Sequence, residues 1–262
     1  MIFCPLYSGS SGNSTFLASD NTKLLVDAGL SGKSIETALL KIGFNPNEID
    51  AILVTHEHID HIKGVGVLSR KYNIPIYANA LTWGCMLKHI GKIKEHNIKV
   101  IYNNHISIKD MDITSFSTSH DAVDPYGYAV DCKNKRACIA TDLGVISNEI
   151  KYILKDSDVI LLESNHDVEM LKFGPYPYDL KRRILSKIGH LSNDDCGKAI
   201  LNIINNKFKK IILGHLSKTN NYPELAYQTV INTLTEAGVK LNMDVTISMA
   251  RRDKPSNYIK FK

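Results

Sequence analysis

Short apolar runs alternate along the chain with stretches whose apolar residues recur every three or four positions. Residues 1–8, 15–18 and 23–27 read as strands, the last two forming a hairpin around Ser19, Asp20 and Asn21. Ile35, Ala38, Leu39 and Ile42 recur at helical spacing, and Gly43 ends that helix. Residues 51–54 are short and apolar, as in a buried strand, while Ile62, Val65, Val67 and Leu68 suit a helix. Further strands are predicted at 74–78, 106–119, 127–130, 137–140, 158–163, 209–213 and 245–248. Helices are predicted at 80–90, 148–155, 193–204 (capped by Ser192 or Asn193) and 223–236. Trp83 and Met86 are expected in the core. The basic tail at 251–254 is expected to be mobile.

No linker or low-complexity tract interrupts this rhythm. Residues 1–262 therefore read as one α/β (α+β) domain of two facing sheets with helices outside. Hydrophobic residues at 44% and charged residues at 23% are ordinary for a soluble globular protein. No apolar stretch approaches membrane-spanning length, and the N-terminus lacks the basic start and apolar core of a signal peptide. The five cysteines are odd in number, scattered and free of Cys-x-x-Cys pairs, so reduced thiols and a cytoplasmic location are expected. The net charge of +5 is compatible with a polyanionic partner. No membrane partner or obligatory protein partner is indicated.

Candidate chemistry concentrates in Thr55–Gly64, where His56, His58, Asp60 and His61 fall within six positions at a strand-to-helix junction. Residues two apart in extended chain point the same way, so His56 and His58 can converge on one ion. The chain then turns, and Asp60 and His61 can face a second ion. Imidazole and carboxylate together suit zinc, manganese or iron. A His-Glu-x-x-His zinc helix is excluded, because Asp60 stands where its second histidine is required. His120, Asp142 and His215 each end an apolar run, whereas His89, His96 and His105 lie outside any cluster.

Thr55-His-x-His-x-Asp-His61 resembles the signature of the metallo-β-lactamase fold superfamily. That resemblance implies an αββα four-layer sandwich and three further ligands downstream: a histidine, an aspartate and a histidine. His120, Asp142 and His215 stand in that order. By resemblance, His56, His58 and His120 hold one divalent ion, Asp60, His61 and His215 hold a second, Asp142 bridges, and Asp27 supports the site from behind. The cofactors implied are two zinc or manganese ions, whose shared hydroxide attacks a phosphodiester. Asp60 is thereby counted as catalytic. Glu163 and Gly189-His190-Leu-Ser192 are similar to elements of the tRNA 3′-processing branch, which implies Glu163 orienting His190 as general acid. His166 is a rival for that role.

A longer set of segments resembles the YycJ/WalJ branch: Ser8-Gly-Ser-Ser-Gly-Asn-Ser14, Val26-Asp-Ala-Gly-Leu30, the metal loop with Lys63-Gly-Val-Gly-Val67, His120-Asp-Ala122, Ala140-Thr-Asp-Leu-Gly144 and Glu163-Ser-Asn-His-Asp-Val-Glu-Met-Leu171. It implies a cytosolic exonuclease degrading DNA from 5′ ends. The alternatives are a tRNA 3′-processing endonuclease or cyclic phosphodiesterase, a glutathione-thioester hydrolase, and a regulatory protein whose metals only staple the fold. Ser10, Ser11 and Asn13 are candidates to cradle a terminal phosphate, and His166 is a further substrate-side candidate. Lys181, Arg182 and Arg183, with Lys187, can line a DNA track on which Tyr176 and Tyr178 stack bases. A plain turn and a solvated helix face are the bland counterparts.

Overall fold

Apolar residues on both faces of most strands set the architecture, because a sheet buried on both sides needs no polar face. The computed structural model describes residues 1–205 and 207–261. The first half supplies β1 (Ile2–Tyr7), β2 (Ser14–Ala18), β3 (Lys23–Val26), β4 (Ala51–Leu53), β5 (Ile76–Ala78) and β6 (Ile98–Val100). The second supplies β7 (His105–Ile108), β8 (Met111–Ser117), β9 (Tyr126–Cys132), β10 (Lys135–Ala140), β11 (Val159–Glu163), β12 (Lys209–Gly214) and β13 (Val245–Met249), and a last strand β14 (Ile259–Lys260) returns to the first sheet. Among the described residues these form two seven-stranded sheets, ordered β14-β1-β2-β3-β4-β5-β6 and β13-β12-β11-β10-β9-β8-β7.

The alternation of side chains along each strand sorts the core into layers. Phe3, Leu17, Leu24 and Val26 point inward to meet Leu161, Val159 and Ile212 between the sheets. Their neighbours Cys4, Phe16 and Leu25 point outward, under Ile35, Leu39, Leu68 and Met86 of α1 (Gly32–Lys41), α3 (Val65–Tyr72) and α4 (Ala80–Ile90), while the one-turn α2 (Ile59–Ile62) carries Asp60 and His61. On the far side Ile160, Leu162 and Ile211 meet α5 (Asn148–Lys155), α8 (Asn193–Ile203) and α9 (Pro223–Glu236). The result is the four-layer αββα sandwich. Ser31, Ser147 and Ser192 cap α1, α5 and α8 by accepting a backbone N–H.

Strands β3 to β6 run parallel, as do β10 to β13. Ligands of open parallel sheets gather outside the carboxyl ends of strands. Here β3, β4, β10, β11 and β12 deliver Asp27, His56, Asp142, Glu163 and His215 to one such end.

Two expectations are corrected, and elements appear in two stretches the sequence left unassigned. The single strand predicted over 106–119 is a hairpin of β7 and β8, turning at Lys109 (φ 52°) and Asp110, where the apolar alternation of Ile106 and Ile108 slips by one position to Met111 and Ile113. The stretch 168–184 contains α6 (Val168–Phe173) and α7 (Tyr178–Ile184), separated by Gly174, Pro175 and Pro177, while β6 is only three partly exposed residues. The basic tail is anchored rather than mobile. Arg252 donates to the Leu216 carbonyl, the Ser256 amide donates to the Pro5 carbonyl, and β14 pairs antiparallel with β1, closing an otherwise open sheet edge.

Candidate metal centre

The backbone turns sharply where the strands deliver their polar residues. Asp27, Asp142 and His215 adopt left-handed conformations, with φ of 62°, 58° and 55°. Non-glycine residues rarely do so except Asp, Asn and His. His56, His58 and His120 each offer a ring nitrogen, all within 4.8 Å of one another, and His56, His61 and Asp142 form an overlapping group. Asp142 stands between them. Its Oδ2 lies 3.3 Å from His61 Nε2 and 3.1 Å from His215 Nδ1, and its Oδ1 lies 3.7 Å from His120 Nε2. Asp60 Oδ2 is 3.6 Å from His61 Nε2.

The inward atoms are bare. His56 Nε2, His120 Nε2, His215 Nδ1 and Asp142 Oδ2 are buried without a hydrogen-bond partner. Buried polar atoms are rarely left so. Three outward nitrogens are held: His61 Nδ1 is 2.7 Å from Asp27 Oδ2, His56 Nδ1 3.0 Å from Thr55 Oγ1, and His120 Nδ1 3.2 Å from the Gly189 carbonyl. Histidines fixed from behind with a free nitrogen facing a carboxylate suit divalent cations. The residues therefore fit the metal that the motif calls for.

Charge follows the same geometry. Burial pushes His56 well down and His120 down. Burial also opposes charge on His61, but Asp142, Asp27 and Asp60 outweigh it and raise its pKa to about 10. Burial works to raise Asp142, yet the His215 and His61 rings hold its carboxyl well below the usual range.

Glu163 and His190 stand beside this cluster. A group of Asp142, Glu163, His190 and His215 also falls within 4.8 Å, but the Glu163 oxygens are engaged. Oε1 is 2.7 Å from His190 Nδ1 and Oε2 accepts the Leu143 amide at 2.9 Å. The pair is thus an oriented imidazole rather than a third ion site. Burial opposes charge on His190, but Glu163 prevails and lifts its pKa to about 9. His166 is different: it is buried with both ring nitrogens unpartnered, and burial pushes its pKa down to about 4. That neutral, enclosed ring is suited neither to donating a proton at neutral pH nor to touching substrate.

The stretch 8–14 acts first as a clamp. Ser8 Oγ accepts the His215 amide at 2.8 Å, and Asn13 Oδ1 accepts the Gly9 amide. Asn13 Nδ2 lies 3.0 Å from His61 Nε2 and 3.4 Å from Asp60 Oδ2. Ser10 and Ser11 are exposed. Of the basic trio, Arg183 pairs with Asp121 beside His120. Lys181 donates to the Lys172 carbonyl, and neither it nor exposed Arg182 lines the recess next to His190.

Sequence reasoning missed several supports. Thr55 donates its amide and hydroxyl to the two oxygens of Asp27. Asn165 Nδ2 donates to the His215 carbonyl. A Cβ on Gly29 would sit 1.6 Å from the Asp60 carbonyl oxygen, so only glycine admits that approach. The Ser/Gly stretch and the Asp-Ala-Gly triplet were the available signals.

Comparison with known proteins agrees with this geometry. The profile of the metallo-beta-lactamase superfamily matches residues 7–215. The chain is 46% identical over 245 residues to exodeoxyribonuclease WalJ of Streptococcus pneumoniae serotype 2 (strain D39), covering 92% of this chain and 91% of that protein. It is 45% identical over 237 residues to exodeoxyribonuclease YycJ of Bacillus anthracis, covering 90% of each. The crystal structure of the metallo-beta-lactamase fold protein YhfI from Bacillus subtilis superposes with a TM-score of 0.73 at 15% identity, covering 97% of this chain and 98% of that one. That last likeness concerns the fold alone.

Proposed function

The chain belongs to the metallo-beta-lactamase superfamily, and from that premise we propose that it is a dinuclear metal-dependent phosphodiesterase that removes nucleotides from the 5′ ends of DNA. The observation carrying this reading is 45–46% identity to two exodeoxyribonucleases over nearly the whole of both chains. The Glu163–His190 pair beside the metal centre supports it chemically, because a phosphodiester leaves an alkoxide that needs a proton.

His56, His58 and His120 would hold one cation, Asp60, His61 and His215 the other, with Asp142 shared. Divalent cations bound there would supply a hydroxide at neutral pH and offset the charge on the phosphate. Zinc and manganese both suit the donor set. The protein's own residues do the rest. Thr55 and Asp27 fix the His61 ring, so its Nε2 faces inward. Ser8 and Asn165 hold the backbone of His215 at its amide and carbonyl. Glu163 keeps His190 protonated and aimed. When the phosphorus–oxygen bond breaks, the departing oxygen takes the proton from His190, which regains one from water. Among the described residues no helix is long and apolar enough to cross a membrane. The five free cysteines support the cytoplasm as the working location.

The test is digestion of end-labelled duplexes carrying 5′ phosphate or 5′ hydroxyl, with zinc or manganese, and with Asp142→Asn as control. Mononucleotides released in order from the 5′ end are expected. A correctly metallated protein that leaves DNA intact, or digests it from the 3′ end, overturns the proposal.

A further inference from the structure

Resting on that reading, we infer that the buried amides of Asn193 and Asn221, with the Ser164 hydroxyl, are positioning residues for the proton donor: they set the separation between His190 and the cation centre. Three loops carry the parts that must meet there. Ser164 directly follows Glu163 at the end of β11, Asn193 lies just after His190, and Asn221 belongs to the loop that begins at His215. Ser164 and Asn193 are fully buried and Asn221 is 5% exposed. They therefore act through their neighbours and not on substrate.

Asn193 Nδ2 donates to Asn221 Oδ1 at 3.1 Å, and Asn221 Nδ2 donates back to Asn193 Oδ1 at 2.9 Å, a closed pair of amides. Ser164 Oγ donates to the same Asn193 oxygen at 2.7 Å. Asn221 Nδ2 also faces the Ser164 and Asn165 carbonyls, each at 3.0 Å. With three oxygens around it, that end of the side chain has to be the NH₂ group. Backbone bonds extend the knot: the Asn165 amide donates to the Leu191 carbonyl, the Asn193 amide to the His166 carbonyl and the Ser217 amide to the Asn165 carbonyl. Each of these bonds joins a loop carrying one of Glu163, His190 and His215 to a loop carrying another.

The His190 and His215 rings lie nearly parallel, 5.3 Å between centroids and inclined by 27°. No hydrogen bond between the two rings sets that spacing; the knot behind them does. Hydrogen bonds are directional, so they fix a separation that apolar packing alone leaves free to slide. A fully satisfied buried network is rigid, and removing one member leaves the others unpaired. The division of labour follows. Glu163 aims the imidazole through Nδ1, and the knot holds the Glu163–His190 pair at a fixed reach from the ligands. A reacting group misplaced by about 1 Å can cost on the order of 100-fold in rate.

The test is Asn221→Ala, assayed on 5′-phosphorylated DNA and on two small diesters, diphenyl phosphate and bis(p-nitrophenyl) phosphate. On DNA and diphenyl phosphate kcat should fall about 10- to 100-fold with KM changed by less than about twofold. On bis(p-nitrophenyl) phosphate, whose leaving group departs without a proton, the loss should be much smaller. In a His190→Ala background Asn221→Ala should cost less than about threefold more, because the donor it places is gone. Calorimetry should show cation affinity unchanged, since Ser8 and Asn165 hold the His215 backbone. If Asn221→Ala fails to fold, Ser164→Ala, which takes one hydroxyl from the knot, substitutes for it and should show the same pattern at about 3- to 10-fold. Equal losses on the two diesters, an undiminished loss in the His190→Ala background, or weakened cation binding overturns the inference. Wild-type protein that leaves DNA intact but keeps the diester pattern retains the inference and sinks the nuclease reading.

Discussion

Replacing Glu163 by glutamine keeps the shape of the His190 contact and removes its charge. The Glu163 carboxylate, 2.7 Å from His190 Nδ1, lifts that imidazole from its ordinary 6.5 to about 9 against the opposing effect of burial. The difference favours the imidazolium by about 3 kcal/mol, to order of magnitude. A general acid works only while protonated, so the wild-type rate should fall as pH rises through the His190 pKa. In Glu163→Gln that basic limb should move toward 6.5. At pH 8 a histidine of pKa 9 is mostly charged and one of 6.5 mostly neutral, a loss of about 30-fold in the active form. Below pH 6 the two proteins should converge. The linkage has the same sign: a raised folded-state pKa contributes stability that is complete below 6.5 and is lost as pH climbs through about 9.

The assay is the pH profile of kcat/KM on 5′-phosphorylated DNA, run beside bis(p-nitrophenyl) phosphate. Nitrophenolate leaves without a proton, so the variant's deficit should shrink on that ester. Both proteins are assayed with the same cation, so the displacement between them is the quantity to read. A basic limb that stays in place in Glu163→Gln, or an equal deficit on both substrates, refutes the reasoning and returns His190 to a structural role at the start of α8.

Three further outcomes test the centre itself. Asp27→Asn should weaken cation binding by about 10- to 100-fold in calorimetry, because the carboxylate that orients His61 is lost; unchanged affinity would remove Asp27 from the site. Gly29→Ala should destabilise the fold by on the order of 3 kcal/mol in urea melts and disturb Asp60, since the new methyl meets the Asp60 carbonyl. Adding zinc or manganese to chelator-treated protein should raise Tm with concentration, less so in Asp142→Asn; a Tm indifferent to both ions contradicts a site built for cations.

Much of this was legible in the residues. The helices at 80–90, 148–155 and 223–236 were read from sequence at their observed bounds, because periodic apolar faces, capping Asn79 and Ser147, and Pro223 at a helix start are local signals. The metal loop was legible because its ligands lie within six positions. Long-range facts were not. The turn at Lys109 left only a faint mark, the polar pair Lys109-Asp110 and a one-position slip from Ile106 and Ile108 to Met111 and Ile113. The docking of β14 on β1 joins positions more than 250 residues apart, and a two-residue strand has no pattern of its own. Arg183 and Lys181 look equivalent in sequence, yet the short α7 turns one toward Asp121 and the other toward Lys172.

The left-handed residues are the deepest of these hidden features, and they tie the fold to the chemistry. Asp27, Asp142 and His215 each stand just past the end of a parallel strand, and Asp27 and His215 are held there by bonds from elsewhere in the chain. Thr55 grips the Asp27 carboxylate, Ser8 takes the His215 amide, and the two rings nearest Asp142 hold it charged. An extended residue at any of these points would continue the strand and send its side chain to a face of the sheet rather than to the shared centre. Such conformations cost on the order of 1–3 kcal/mol each and persist only where surrounding contacts over-determine them. Here the clamps, Ser8, Thr55 and Asn165, come from the loops after β1, β4 and β11, so both sheets must assemble before the ligands converge. Cation binding is then coupled to completion of the whole sandwich, and the protein should gain its metal affinity in the same cooperative transition in which it gains its tertiary structure.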